Sequence, residues 1–396
     1  MRKVAGIKVA GILLAATALA LSGCAGHDGS SAGGSSSAPK TATGIRDTAS
    51  TPTTTTPSRQ DCQARYLGQF STRQKLAQLL TVGIKNGADA LQVVQREQVG
   101  GLFYGSWTDP SMLQNGQVDQ VKAAAHTPLM ITVDEEGGRV ARLKNQLGPF
   151  PSARAAAQSM TSAQYYQKVL ARAQQMKKLG MTVDFAPDAD VSNEDDDAVI
   201  GDRSFANNPA VVTDYAQQAI RALHDAGMGA VIKHFPGHGH GSGDSHTGAV
   251  RTPPLSQLQQ VDLVPFRNLV GSGAAVMVGH LDVPGLTTPN VPASISPQAM
   301  SLLRQGTGYN AQPYDGLIFT DDLSGMAAIT ARMGIEDAVA TALEAGADDA
   351  LWITTDAVTS VLNRLEQEVN SGRLPMARVD QSVLRVAAFK GVNTGC

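Results

Sequence analysis

Eight short apolar runs, separated by longer stretches of helical periodicity, constrain this chain more than any other feature. The runs are Leu79-Leu-Thr-Val-Gly83, Gly101-Leu-Phe-Tyr104, Leu129-Met-Ile-Thr-Val133, Thr182-Val-Asp-Phe185, Ala230-Val-Ile232, Ala275-Val-Met-Val278, Leu317-Ile-Phe319 and Ala350-Leu-Trp-Ile353. Between most of them lie amphipathic segments, among them Ser162 to Leu179, Pro209 to Ala226, Ile335 to Ala345 and Thr355 to Ser371. Strand and helix alternating in this way predict a single α/β domain with parallel strands, a TIM (β/α)8 barrel. Periodicity alone does not close a sheet, so a doubly wound open sheet is the competing expectation. The folded region, Asp61 to Cys396, is long for one domain unless it is such a barrel.

Charged groups collect just after these runs. Asp134-Glu-Glu-Gly-Gly-Arg139 follows the third, Pro187-Asp-Ala-Asp190 the fourth, Lys233-His234 the fifth, His280 the sixth and Thr320-Asp-Asp322 the seventh. The C-terminal strand ends are where a barrel keeps its active site. Helix caps would explain Asp or Ser there, but not Lys233, His234 and His280. The densest cluster is Lys233-His-Phe-Pro-Gly-His-Gly-His-Gly-Ser-Gly-Asp-Ser-His246, where glycines let a loop approach a ligand and Asp244 can orient His246 as an acid/base. His238 and His240 are expected to shape that loop. His280 is expected either to line a pocket or to pack beneath it.

The N-terminus reads as a processing segment. Arg2, Lys3 and Lys8 flank an apolar run from Val9 to Leu21, followed by Leu21-Ser-Gly-Cys24. That is a secretory signal over residues 1–23, and Cys24 sits where the lipobox of bacterial lipoproteins places its lipidated cysteine. The resemblance implies cleavage before Cys24, diacylglycerol on its sulfur and an extracytoplasmic, membrane-anchored protein. The run is short for a spanning helix. Residues 24–60, almost all Ser, Thr, Gly, Ala and Pro after Cys24, cannot bury a core and are expected to form a disordered tether reaching roughly 35 Å. Its composition would accept O-glycans. Removing the signal takes away three basic and no acidic residues, so the formal charge moves from −3 to −6, which argues against a nucleic-acid partner. Cys62 and Cys396 bracket the folded region, residues 61–396, and in an oxidising compartment they are expected to pair.

Four motifs then converge. Asp134-Glu-Glu-Gly-Gly-Arg-Val-Ala-Arg142, Lys233-His-Phe-Pro-Gly-His-Gly239, Asp244-Ser-His246 and Phe319-Thr-Asp-Asp-Leu323 resemble, in order, those of glycoside hydrolase family 3, most closely its single-domain β-N-acetylglucosaminidases of the NagZ type. The resemblance spans roughly the whole folded region. It implies that Asp321 is the nucleophile and that Asp244 and His246 form the acid/base dyad. It further implies that Lys233, His234, Asp134, Arg142 and Arg203 bind the sugar, and that neither a metal nor another cofactor is needed. A retaining glycosidase requires a carboxylate at the anomeric carbon and a proton donor on the leaving oxygen. A second carboxyl is the usual donor, but an imidazole titrates near neutrality and a carboxylate beside it favours the protonated form. Asp322 is the rival nucleophile, although neighbours on a strand point to opposite sides.

The function expected is removal of a terminal N-acetylglucosamine from peptidoglycan fragments in cell-wall turnover. A monomer is expected, with sugars and the membrane surface as partners. Phosphorolysis is an alternative, because an imidazole acid/base does not repel phosphate. Zinc held by His234, His238, His240, Asp244 and His246 would match no familiar spacing. A Schiff-base Lys233 would leave the Asp244–His246 pair without a role. A non-catalytic sugar-binding lipoprotein would have little need for Asp321 together with that pair.

Overall fold

The computed structural model describes residues 58–396; Cys24 lies outside them. Eight parallel strands form one sheet: β1 Leu80–Gly83, β2 Gly101–Tyr104, β3 Met130–Val133, β4 Val183–Asp184, β5 Gly229–Phe235, β6 Ala275–Val278, β7 Ile318–Thr320 and β8 Ala350–Trp352. Neighbours follow sequence order from β1 to β7, and β8 pairs with β1. A parallel bridge between Phe319 and Asp349 joins β7 to β8, with the Thr320 amide donating to the Asp349 carbonyl at 3.0 Å. The sheet is therefore a closed barrel and the open-sheet alternative is excluded. Each strand leads to a helix, including Ser162–Lys178 after β3, Pro209–Asp225 after β4 and Val358–Ser371 after β8. None of the helices among the described residues is long and apolar enough to cross a membrane.

The strands are short and buried on both faces, as a barrel wrapped in helices demands. Within the barrel Phe103, Phe185 and Phe319 stack edge to face or tilted, with centroids 5.7 and 5.3 Å apart. Phe103 and Phe185 also form part of the floor of the cleft above. The packed core thus ends directly under the functional site.

The folded region begins earlier than Asp61. Ser58 caps the helix Arg59–Leu67: its hydroxyl accepts from the Asp61 amide at 3.2 Å, and Asp61 accepts from the Ser58 amide at 3.1 Å. This reciprocal capping box recruits Ser58, Arg59 and Gln60 into the domain, so helix begins at Arg59, two residues before the expected domain start at Asp61. Cys62 on that helix is disulfide-bonded to Cys396, with Cα atoms 5.6 Å apart. Closing a loop of 334 residues removes about 6 kcal/mol of chain entropy from the unfolded state in the loop-closure model.

Candidate active site

A cleft of about 530 Å³ opens at the C-terminal ends of the strands. Its polar wall begins with a tight hairpin after β3, Glu135–Gly137 paired with Val140–Ala141. Gly137 has φ +97°, and a Cβ there would lie 2.1 Å from the Pro151 carbonyl oxygen, so only glycine permits this turn. The hairpin presents Asp134, Glu136 and Arg142 to the cleft. On β5 the register against β6 shifts between Ile232 and Phe235, and adjacent Lys233 and His234 both face the cleft instead of alternating.

Glu136 is the hub of this wall. Its carboxylate accepts from Arg203 Nε and Nη2 at 2.8 and 2.9 Å, and Lys233 Nζ lies 2.5 Å from Oε1. Lys233 Nζ also donates to Asp134 Oδ1 at 2.7 Å. Burial alone would raise the Glu136 pKa, but Arg203 and Lys233 overcome it and hold the carboxyl ionised far below its usual range. Burial would likewise lower Lys233, and Asp134 and Glu136 overcome that, keeping it charged. Lys233 and Arg203 therefore line the cleft as expected, but with their charge already matched by carboxylates. Glu136 was not singled out from the sequence. The available signal was an acid standing between two acids and arginines already assigned to the same motif.

His234 is oriented from behind. Asp190 Oδ2 lies 2.8 Å from its Nδ1, and Asp190 Oδ1 accepts from the His238 amide at 2.6 Å. His234 Nε2 lies 3.4 Å from Arg203 Nη2. Asp188, Asp190 and His234 are the one group among the described residues whose ligand atoms lie close enough for a metal. Both Asp190 oxygens and His234 Nδ1 are already used in hydrogen bonds with each other and the backbone, which fits an orienting role. The wider histidine set does not converge: His240 bonds Asp262 at 2.8 Å, and His246 bonds Asp244 at 2.8 Å.

Asp321 and Asp322 stand just beyond β7, where strand alternation has ended, and both line the cleft. This corrects the expectation that they point to opposite sides. Hydrogen bonding separates them instead. Asp322 Oδ1 accepts from the Ser324 amide and hydroxyl at 2.8 and 3.0 Å, and Oδ2 from the Gly325 amide at 2.9 Å, so it closes its own loop. Among the described residues Asp321 receives only the Asp322 amide, at 2.9 Å on Oδ1, which leaves Oδ2 open to the cleft. Burial opposes ionisation of Asp321, yet His234 and His280 offset it and its pKa is lowered; burial raises that of Asp322.

His280 does not line the cleft. It packs beneath, with Nε2 donating to the Asp322 carbonyl at 2.7 Å and Nδ1 facing Ser294 Oγ at 2.6 Å. It steadies the loop that carries Asp321 and Asp322. Arg142 lines the cleft and has no hydrogen bond or ion pair from its guanidinium among the described residues. It is the cation of the wall left open for a ligand.

Asp244 and His246 meet as a hydrogen-bonded pair. Asp244 Oδ1 accepts from the His246 amide at 2.9 Å and faces its Nδ1 at 2.8 Å, so Nε2 is free to carry a proton outward. Burial of Asp244 is outweighed by those two bonds and its pKa is lowered. The loop docks on the segment that follows Asp321 and Asp322: the Ala328 amide donates to the Ser245 carbonyl at 3.1 Å, and the Ala327 amide to the His246 carbonyl at 3.4 Å. A carboxylate–imidazole pair and the Asp321 carboxylate are thereby held in one cleft.

The profile of the glycosyl hydrolase family 3 N-terminal domain matches residues 71–389. A curated relative, the beta-hexosaminidase LpqI of Mycobacterium tuberculosis, is 54% identical over 329 residues, covering 83% of this chain and 84% of the relative. The solved structure of M. tuberculosis LpqI superposes with a TM-score of 0.82 at 53% identity, covering 84% of this chain and 98% of that one. A family 3 β-N-acetylglucosaminidase from a Paenibacillus species is 31% identical with a TM-score of 0.75, covering 81% of this chain and 62% of its own.

Proposed function

The chain belongs to glycosyl hydrolase family 3 and is a β-hexosaminidase, and from that premise we propose that it is a retaining exo-β-N-acetylglucosaminidase acting on peptidoglycan fragments. The observation that carries the mechanism is the presence of a buried, ionised Asp321 and the Asp244–His246 dyad in the same cleft. The terminal sugar lies against Asp134, Arg142 and the Lys233–Glu136–Arg203 network. Asp134 keeps Oδ2 for a hydroxyl, since Lys233 occupies Oδ1.

In the first step Asp321 Oδ2 attacks the anomeric carbon as the glycosidic bond breaks. His246 Nε2 gives its proton to the departing oxygen, and Asp244 stabilises the imidazolium beforehand. In the second step the neutral Nε2 takes a proton from water, whose oxygen attacks the anomeric carbon and releases Asp321. Two inversions retain the β configuration. Following the anomeric proton signals of the first sugar released tests this: β-anomer first is the expected result, and α-anomer first overturns double displacement.

We place the enzyme outside the cytoplasm, held to the membrane by lipid on Cys24. The signal-like N-terminus and a disulfide that persists only in an oxidising compartment support this location. Wall-derived disaccharides of N-acetylglucosamine and N-acetylmuramic acid are the substrates such a location supplies. Membrane fractionation of Cys24→Ala tests it: release into the soluble fraction is expected, and retention would contradict the lipid anchor.

A further inference from the structure

One large apolar side chain is exposed among the described residues. Trp107, on the loop after β2, is 44% exposed and lines the cleft. Its ring is held in place from behind. It meets Phe103 edge to face at 5.8 Å, and its six-membered ring lies on Gly105, where a Cβ would come 2.3 Å from Cη2. The turn itself is closed: the Thr108 amide donates to the Gly105 carbonyl at 3.1 Å, the Gly105 amide to Thr108 Oγ1 at 3.1 Å, and Thr108 Oγ1 to the Ile84 carbonyl at 2.7 Å. An indole fixed on one side and open on the other is a preformed surface rather than an idle surface residue.

Depth in the cleft says what the surface meets. The polar-wall side chains are nearly covered, Lys233 at 3% and Glu136 at 4% exposed, whereas the proton donor His246 stands at 61%. Trp107, like His246, lines this cleft while remaining open to solvent. In an exo-acting enzyme the terminal sugar fills the bottom and the leaving group occupies the level of the proton donor. A pyranose presents C–H groups on its apolar face, and an aromatic ring presents a negative face to them.

We propose that Trp107 is the platform on which the leaving-group sugar stacks, forming a subsite next to the scissile bond. This rests on the glycosidase reading above. The test compares wild type, Trp107→Ala and Trp107→Phe on a β-1,4-linked N-acetylglucosamine disaccharide, with competitive inhibition by free N-acetylglucosamine as a probe of the terminal-sugar subsite alone. Trp107→Ala is expected to lower kcat/KM for the disaccharide about tenfold, mainly through KM, to leave the inhibition constant within about twofold, and to be largely rescued by Trp107→Phe. Unchanged disaccharide kinetics, or an equal rise in the inhibition constant, overturns the subsite while leaving the glycosidase intact. An inactive wild type on both the disaccharide and 4-nitrophenyl N-acetyl-β-glucosaminide overturns the glycosidase reading and the subsite with it.

Discussion

Glu136 and Arg203 form a two-pronged ion pair at 2.8 and 2.9 Å, and the same carboxylate meets Lys233. Two buried cations thus share one acid, with Asp134 as a further partner of Lys233 and Asp188 of Arg203. Glu136→Gln keeps the shape and removes the charge, leaving Arg203 and Lys233 under-compensated. Breaking a buried pair from one side costs about 3 kcal/mol or more. A lower melting temperature and a KM raised at least about tenfold are expected from calorimetry and steady-state kinetics; a variant with wild-type stability and KM would show that the hub is dispensable.

The Asp244–His246 pair predicts a leaving-group signature. His246→Ala removes proton donation, which contributes typically about 10² to 10⁴ in rate. An alkyl or sugar leaving group needs that proton, whereas 4-nitrophenolate departs without it. The first step on the disaccharide is therefore expected to slow by at least about a hundredfold, with much less effect on 4-nitrophenyl release in single-turnover measurements. Equal losses on both substrates would assign His246 a role other than acid.

Asp184 predicts a pH dependence of stability. It is buried at the end of β4 and accepts from the Glu135 amide at 2.9 Å. Burial is the largest cause of its raised pKa, opposed by that amide and reinforced by the Glu135 charge. Because the folded-state pKa lies above the unfolded value of about 3.9, its contribution is fully present below that value and is lost as pH rises toward the folded one. Asp184→Asn keeps an acceptor oxygen and carries no charge. Its melting temperature is expected to match wild type near pH 4 and to exceed it at pH 7; a variant less stable at pH 7 would mean that the ionised carboxylate is favoured.

The barrel was legible because most strands are covered apolar runs. Gly101–Tyr104 and Ala275–Val278 begin and end where their apolar residues do. The helix after β8 starts at Val358 rather than Thr355, because Thr355 turns to bond Asp89 and the Val358 amide donates back to it. In the site, Asp321, Asp244 and His246 could be found because each is carried by a short local motif. Glu136 and Asp190 could not be ranked in that way. Their partners lie 67 and 44 positions away, and their roles exist only once β3, β4 and β5 stand side by side. The placement of His280 under the cleft depends equally on Ser294, which belongs to another segment.

Turnover of 4-nitrophenyl N-acetyl-β-glucosaminide by the purified protein, beside Asp321→Ala and the matching β-glucoside, bears most directly on the role of Asp321. A β-hexosaminidase with Asp321 as its nucleophile turns over the N-acetyl sugar and little of the glucoside, and loses at least about 10⁴-fold in kcat in a folded Asp321→Ala variant. Near-normal turnover by that variant would contradict a nucleophilic Asp321, and no turnover by well-folded wild type would contradict the enzyme altogether.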